Sequence, residues 1–190
     1  MKRLMIGLLL FASVSSSADV TQETIPDADR QNQKQNPVVT NVALAMLGVF
    51  TPLQIPGSDS YVRGVRFNLL YGTCCNFTGL DIGCVGVSKD CANGCLINLV
   101  NMAYGDGLGL HAGGVNYLGG DFNGLQIGLI NWTNSGEALQ LGLYNGAYDM
   151  QGLQFGMINV ADKMMGIQIG LVNIIYYSDL SFLPIINGYF

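Results

Sequence analysis

Residues 124–131, Gly-Leu-Gln-Ile-Gly-Leu-Ile-Asn, form a phrase that recurs in variant form along most of the chain. Its apolar side chains alternate with glycine and glutamine, which is the two-residue period of a strand and not the 3.6-residue period of a helix. Successive copies begin 14 or 15 residues apart, a period shorter than that of helical repeat families. Each repeat is therefore predicted to form one strand and one turn.

The copies align by their first and eighth positions. The first positions are Gly64, Gly79, Gly94, Gly109, Gly124, Ala138, Gly152 and Gly166, with a degenerate ninth copy from Leu180. The eighth positions are Tyr71, Gly86, Asn101, Asn116, Asn131, Asn145, Asn159, Asn173 and Asn187. In the eight full copies the second, fourth and sixth positions are mostly apolar, the third is polar except at Leu96, and the seventh is apolar. This pattern predicts a strand with one apolar and one more polar face.

The low charge content narrows the class of protein. Charged residues make up 11% of the chain and hydrophobic residues 49%, whereas typical soluble domains carry about 25% charged residues. Such a composition is typical of strand faces that meet lipid, or of a tightly stacked repeat. The length fits one domain.

The N-terminus has the pattern of a secretory signal peptide at residues 1–18. Lys2 and Arg3 precede an apolar stretch that is too short to span a bilayer, and small residues lead to a cleavage site after Ala18. Loss of Lys2 and Arg3 leaves six basic residues against thirteen acidic ones. A chain this acidic has no electrostatic footprint for nucleic acid.

The segments that follow differ in composition. Residues 19–37 are polar, without an apolar pattern, and are predicted to be a flexible leader. Residues 38–190 are predicted to be a single β domain built from the repeats. An exported chain of this kind is expected in the bacterial outer membrane or at the cell surface.

The favoured architecture is a ten-stranded antiparallel meander that closes into a small outer-membrane-type β-barrel. The first strand plus nine repeats gives an even number, and strands near ten residues long suit the apolar layer. Aromatic residues at the strand ends and the closing Phe190 agree with this prediction. Membrane lipid would then be the partner. A narrow pore would follow from an open lumen, although we expect a barrel this small to be mostly filled.

The alternative architecture is a β-solenoid in which each repeat is one coil and like residues stack in ladders. Neighbouring copies resemble each other as closely as alternate copies do, which favours coils added singly. A coil of 14 or 15 residues, however, encloses little core, and its outer face would be an uncharged glycine and glutamine surface. Such a solenoid, soluble or surface-attached, would bind a partner along its ladder face.

Several segments resemble an uncharacterised family of bacterial surface-repeat proteins. They are residues 63–72 (RGVRFNLLYG), residues 79–83 (GLDIG), the Gly-Leu-Gln-Ile-Gly-Leu-Ile-Asn copies and residues 183–187 (LPIIN). The likeness covers about residues 38–190 and implies a cell-envelope protein with a structural or surface role. It supplies no catalytic residues. The cysteine cluster and Gly86, where the family has asparagine, depart from its pattern.

Five cysteines lie close together, at Cys74, Cys75, Cys84, Cys91 and Cys95. Their spacing and the single histidine do not favour a metal site, whereas an exported chain favours disulfides. In a hairpin that turns at residues 89–90, Cys84 faces Cys95, which makes them the candidate disulfide. In a solenoid, Cys75 and Cys91 would be neighbours instead.

Arg66, Asp81 and His111 share the third position on nearby strands and are predicted to form a polar cluster in the barrel lumen. The glycine pairs lack the lysine and helix of a phosphate loop. Acidic residues do not recur as in calcium-binding repeats, and there is no nucleophile elbow. We therefore predict no enzyme activity, no cofactor and no metal.

Overall fold

The computed structural model of the chain describes residues 42–50 and 53–190, which contain strands and no helix. The strands are β1 (Val42–Phe50), β2 (Leu53–Ile55), β3 (Tyr61–Cys74), β4 (Asn76–Ser88), β5 (Ala92–Ala103), β6 (Gly107–Ala112), β7 (Val115–Ile175) and β8 (Phe182–Tyr189). The all-β prediction is confirmed. The predicted signal peptide at residues 1–18 and the leader at residues 19–37 lie outside the described residues.

Successive repeats pair in parallel and in register. Arg66 of β3 lies opposite Asp81 of β4, and Asp81 lies opposite Leu96 of β5. Parallel neighbours need a crossover between them, and here the remainder of each repeat supplies it. The chain therefore winds in one direction as a β-solenoid, so the ten-stranded antiparallel barrel is wrong and the alternative architecture is confirmed.

Strand β7 continues for 61 residues without interruption, through several coils. Its residues still stack on one another, because Asn131 bonds to Asn145 and Gln126 to Gln140, each pair 14 residues apart. The coil thus shortens from the 15-residue offset of β4 and β5 to 14 residues within β7. The change follows the shorter spacing of the later copies.

Antiparallel strands close both ends of the solenoid. β8 runs antiparallel along the last coil of β7, with Ile169 opposite Ile186 and Gly166 opposite Tyr189. The ninth copy at Leu180 therefore adds no coil, since the chain reverses and covers the exposed edge. At the other end, β1 pairs in parallel with β3 and carries the short β2 antiparallel on its free edge.

The polarity of the coils is the reverse of the one expected for a solenoid. Gln126 and Asn131 are completely buried, whereas Leu129 is 59% exposed. Stacked amides can bond to their equivalents one coil away, so their burial leaves few polar groups unsatisfied. The repeat phrase thus turns its polar face inward and its apolar face outward.

The apolar core comes from the segments between the repeat phrases. One cluster consists of Met46, Val62, Cys74, Phe77, Ala92, Leu96, Ala103, Leu118, Phe122, Ala138, Ala147 and Met150, and a second of Ala161, Met164 and Ile175. Most of these residues follow the asparagine or precede the first glycine of a copy. Together with the buried amides they fill the interior, so the lumen on which the pore alternative depended is replaced by a packed core.

The first copy contains one extra residue. The pairing of β3 with β4 shifts between Asn68 and Tyr71, so that Tyr71 lies opposite Val85 and Gly72 opposite Gly86. A bulge of this kind leaves one residue without a partner. The eighth position of the first copy is therefore Gly72, and the sequence alignment that put Tyr71 there is off by one.

Candidate functional site

A ladder of asparagines supports one corner of the solenoid. Its members are Asn101, Asn116, Asn131, Asn145, Asn159 and Asn173, and the Nδ2 of each of the first five donates to Oδ1 of the next at 2.8 Å. The second hydrogen of Asn131 goes to the backbone carbonyl of Leu141 at 2.9 Å. That carbonyl is at the fourth position of the next coil. The ladder therefore satisfies backbone groups inside the corner.

The glycine at the fifth position makes room for this ladder. A Cβ at Gly128 would lie 2.7 Å from Nδ2 of Asn116 and 2.7 Å from the carbonyl oxygen of Gly113. A carbon atom cannot come this close to a nitrogen or an oxygen to which it is not bonded, so a side chain does not fit at Gly128. This finding explains why the fifth position is glycine in the five copies from Gly109 to Gly166, all of which have asparagine at the eighth position.

The first three copies depart from this pattern. The first has Asn68 at the fifth position and Gly72 at the eighth, the second has glycine at both, and the third has asparagine at both. A Cβ at the eighth-position Gly86 would meet Oδ2 of Asp81 first, and it would also lie 2.8 Å from Nη2 of Arg66 and 2.9 Å from Nδ2 of Asn98, which occupies a fifth position. Asn98 donates to Oδ1 of Asn101 at 2.7 Å, which joins it to the ladder. Gly86 therefore makes room for the carboxylate of Asp81 and its partners, and Asn98 connects that carboxylate to the asparagine ladder.

A second ladder, of third-position glutamines, runs through the interior. Gln140, Gln154 and Gln168 each donate through Nε2 to Oε1 of the preceding glutamine at 2.7 Å, and the first acceptor is Gln126. The glutamines donate toward the N-terminus and the asparagines toward the C-terminus. Two opposed rows of amides therefore hold the coils in register.

Arg66 and Asp81 form a buried ion pair where the glutamine row would otherwise begin. Both side chains are completely buried, and Nε and Nη2 of Arg66 donate to the two carboxylate oxygens at 2.9 and 2.6 Å. Asn68 and Asn98 also donate to this carboxylate, at 2.9 and 2.7 Å. The guanidinium carbon lies 4.6 Å from the ring centre of Phe77. This geometry satisfies both charges within the core.

His111 belongs to the same row but does not reach the pair, because Leu96 lies between them in register. Its Nε2 is 3.3 Å from the carbonyl oxygen of Ala92, and its ring centre is 4.8 Å from that of Phe122. Burial lowers the pKa of His111 to about 4, against an opposing contribution from the Ala92 carbonyl. The predicted cluster of Arg66, Asp81 and His111 is therefore a row in a packed interior, with contact between the first two only.

The predicted cysteine pair is not brought together. β4 and β5 run parallel and do not form a hairpin, so Cys95 lies opposite Leu80. Leu80 precedes Cys84 by four residues on β4, which keeps Cys84 and Cys95 apart. Both thiols are free, as are Cys74, Cys75 and Cys91. The turn expected at residues 89–90 is instead a corner, where the amides of Lys89 and Asp90 donate to the preceding coil. Cys75 and Cys91 lie in adjacent coils without a bond.

The outward side chains of the repeats form one continuous apolar surface, here called the outer apolar surface. It consists of Phe67, Leu69, Leu70, Ile82, Ile97, Leu99, Ile127, Leu129, Ile130, Leu143, Phe155, Met157, Ile158 and Leu171, each between 38% and 66% exposed. Fourteen large side chains exposed to about this extent present on the order of 1,000 Å². The largest apolar patch of a typical monomer is about 300–600 Å², and larger ones mark interaction sites.

Aromatic and then acidic residues border the outer apolar surface. The aromatic residues that lie past the asparagine corner are Tyr104, Tyr117, Trp132, Tyr148, Tyr176 and Tyr177. The acidic residues of these segments include Asp90, Asp106, Asp121, Asp149 and Asp162. Tyr104 and Tyr117 contact each other edge to face at 6.4 Å. After the asparagine, the copies that begin at Gly94, Gly109, Gly124, Ala138 and Gly166 therefore pass from aromatic to acidic residues, whereas the copy at Gly152 has Asp162 and no aromatic residue there.

A groove deepens the outer apolar surface at the N-terminal end. It encloses about 780 Å³, and its apolar walls include Leu47, Leu53, Ile55, Phe67 and Leu69. Leu53 and Ile55 come from β2, which precedes the repeats. Sequence analysis missed this groove because neither β1 nor β2 carries the repeat pattern.

No three histidine, cysteine, aspartate or glutamate side chains gather into a metal-binding group in the part of the chain that the structure describes. That part also contains no helix that could cross a membrane. Comparison with protein-family models, with curated proteins and with solved structures finds no match to this chain. The functional conclusion therefore comes from the geometry of the site.

Proposed function

We propose that the protein is a non-catalytic β-solenoid of the bacterial envelope, attached to a surface and binding a partner through the outer apolar surface. The observation that carries this proposal is the absence of charge on that surface. In the second to ninth positions of the eight full copies, Arg66 and Asp81 are the only charged residues, and both are buried in their ion pair.

The energetic reasoning starts from the cost of exposing such a surface. At about 25 cal/mol per Å², on the order of 1,000 Å² of apolar area corresponds to roughly 25 kcal/mol of burial free energy before the costs of association are subtracted. A repeat of polar residues would form the same ladders without this penalty. Large apolar residues at nearly every outward position therefore favour a covered surface.

The buried polar groups support a structural role for the interior. The amide ladders and the Arg66–Asp81 pair are occupied with one another and lie away from solvent. A catalytic group must reach its substrate. The signal-peptide pattern and the resemblance to surface-repeat proteins support export to the envelope.

The test compares a variant with two negative charges on the outer apolar surface and a control with two negative charges at other exposed positions. Leu129→Glu and Leu143→Glu together add two charges to the outer apolar surface, whereas Asn134→Glu and Gln151→Glu add two at exposed polar positions. Each form is expressed in bacteria with residues 1–18 present, and cells are fractionated and treated with external protease. We expect the control to be surface-attached like the original chain and the first variant to be released.

Retention of both variants in the envelope would contradict binding through the outer apolar surface. Recovery of the unsubstituted chain only from the cytoplasm would contradict the envelope role itself. Circular dichroism of the purified variants shows whether each has kept its strands. Because all four positions are outward, we expect unchanged spectra.

A further inference from the structure

The partner of the outer apolar surface can be named from its shape and borders. We propose that the surface is covered by the hydrocarbon of a lipid membrane, with the solenoid lying on its side and its axis parallel to the membrane plane. This inference rests on the proposed function, because it names the partner of the same surface. Its experiment separates failure of the lipid assignment from failure of the proposed function.

The outer apolar surface turns a corner. Leu129 and Ile130 are adjacent in sequence and both are exposed, which places them on either side of a change in strand direction, and the next residue, Asn131, is buried. Met157 and Ile158 repeat this arrangement two coils later. A flat protein face, including that of a second copy, would cover one side of the corner. Fluid hydrocarbon covers both.

The backbone beneath this surface is already paired. Hydrocarbon tolerates a polypeptide only where its N–H and C=O groups are bonded internally. Neighbouring coils bond to one another, and the asparagine ladder satisfies fourth-position carbonyls inside the corner. β8 covers the last coil from Gly166 to Ile174, and its own edge includes Pro184, which has no N–H to leave unpaired.

The borders follow the polarity of a membrane interface. Tyrosine and tryptophan favour the boundary between hydrocarbon and water, and in five of the coils they lie between the apolar positions and the acidic residues. Trp132 belongs to this border, and its ring lies over Gly146 of the next coil. An immersion of about 5–10 Å is usual for elements that lie in the interface.

Charge selects the kind of lipid surface. The exposed basic residues of the described chain are Arg63, Lys89 and Lys163, and Lys89 is paired with Asp59 at 2.6 Å. The described residues contain no basic cluster that could hold anionic headgroups, and such headgroups would repel the acidic residues past the asparagine corner. Binding is therefore driven by apolar burial. It prefers uncharged headgroups and is insensitive to salt.

The experiment uses the full chain after removal of the signal peptide and vesicles of phosphatidylcholine. Trp132 is the single tryptophan of the chain, so its fluorescence reports on one place at the border. We expect co-flotation with the vesicles, a blue shift of the emission, and quenching by lipids brominated on their acyl chains. High salt should leave the bound fraction unchanged, and adding anionic lipid should not increase it.

The charge variants supply the second readout. Leu129→Glu with Leu143→Glu should weaken partitioning into these vesicles on the order of tenfold or more, while Asn134→Glu with Gln151→Glu should leave it unchanged. Quenching of the Trp132 fluorescence is measured on the unsubstituted protein and needs no variant. It therefore tests the inference even if a substitution impairs folding.

The outcomes separate the two proposals. The unsubstituted chain could fail to float with vesicles and show no quenching, while the Leu129 and Leu143 variant still loses its envelope attachment. The outer apolar surface would then bind a protein, which overturns the lipid assignment alone. A stable dimer that ignores vesicles also overturns it. Binding only to anionic vesicles, abolished by salt, would contradict an apolar mode of attachment.

Discussion

Asn131 donates a hydrogen bond of 2.8 Å to Asn145 one coil further along the chain, and both side chains are completely buried. The same amide also donates to the carbonyl of Leu141 and accepts from Asn116. One side chain thus connects three successive coils at the corner. The order of the whole solenoid depends on this connection being repeated.

The ladder should fail when an amide becomes a carboxylate. Asn131→Asp keeps the shape but places an oxygen where Nδ2 faced the oxygens of Asn145 and Leu141. We expect Asn131→Ala to lower the free energy of unfolding by about 1–3 kcal/mol, since it leaves buried partners unpaired. Asn131→Asp should lower it further at neutral pH. Urea unfolding measures both, and Asn134→Ala, at an exposed position, is the control. Equal stability of the Asp and Ala forms would contradict the assigned contacts.

A side chain at the fifth position should be poorly tolerated. Gly128→Ala would force its Cβ against Asn116 and the backbone of Gly113, and we expect a loss of about 1–3 kcal/mol from overpacking. Gly57→Ala is the matched control, because a Cβ there meets nothing within 4 Å. It should be neutral or slightly stabilising. Thermal unfolding of the two proteins gives the comparison, and a tolerant Gly128 would contradict the close stacking.

Breaking the buried ion pair should cost more than removing it. Asp81→Asn leaves the charge of Arg66 buried without its partner, and we expect a loss of about 3–5 kcal/mol. Arg66→Gln combined with Asp81→Gln places two amides that can stack on each other in adjacent coils, separated from Gln126 by Leu96 and His111, and should be less destabilising than the single change.

Denaturant midpoints rank these variants. Asp59→Asn breaks the exposed pair with Lys89, which is screened by solvent, and should leave the midpoint unchanged. A double variant less stable than Asp81→Asn would show that the pair is not replaceable by stacked amides.

His111 should make the fold sensitive to acid. The pKa of His111 is about 4 in the folded protein and 6.5 for an unperturbed histidine, as in the unfolded chain. Between these two pH values the unfolded chain therefore binds more protons than the folded protein. The free energy of unfolding therefore falls as the pH drops from 6.5 toward 4, by up to about 3 kcal/mol from this group. His111→Gln should remove that part of the loss. Because the chain has a single histidine, the difference between the two pH profiles isolates it, and identical profiles would show that His111 is not buried.

The strand structure, the period of the repeat and, for a solenoid, the stacking of like residues in ladders could be predicted from sequence, because alternation and a fixed period report directly on local geometry. The direction of successive strands could not. The pattern Gly-Leu-Gln-Ile-Gly is nearly unchanged on reversal, so it suits a hairpin and a coil alike. The even strand number favoured a barrel only because the ninth copy, from Leu180, was counted as a further repeat rather than as a cap.

The inside and outside of the coil were assigned wrongly for a physical reason. Apolar residues usually face the core, but a coil of 14 residues leaves space mainly for side chains that stack on their equivalents. Gln126 and Asn131 do so through hydrogen bonds at a strand spacing of about 4.8 Å, and Leu129 cannot gain as much there. The glycine at the fifth position of the later copies, such as Gly128, was the available signal, since a glycine is required where an amide from another position occupies the space.

The side-chain amides of the asparagine ladder test the solenoid most directly. In a sample with ¹⁵N-labelled asparagine, NMR should show contacts between the side-chain NH₂ groups of Asn131 and Asn145, which an antiparallel meander would place at opposite strand ends. The same protons should exchange slowly with solvent because both residues are buried. Fast exchange of these amides, without contacts between asparagines one repeat apart, would contradict the solenoid and its inward polar face.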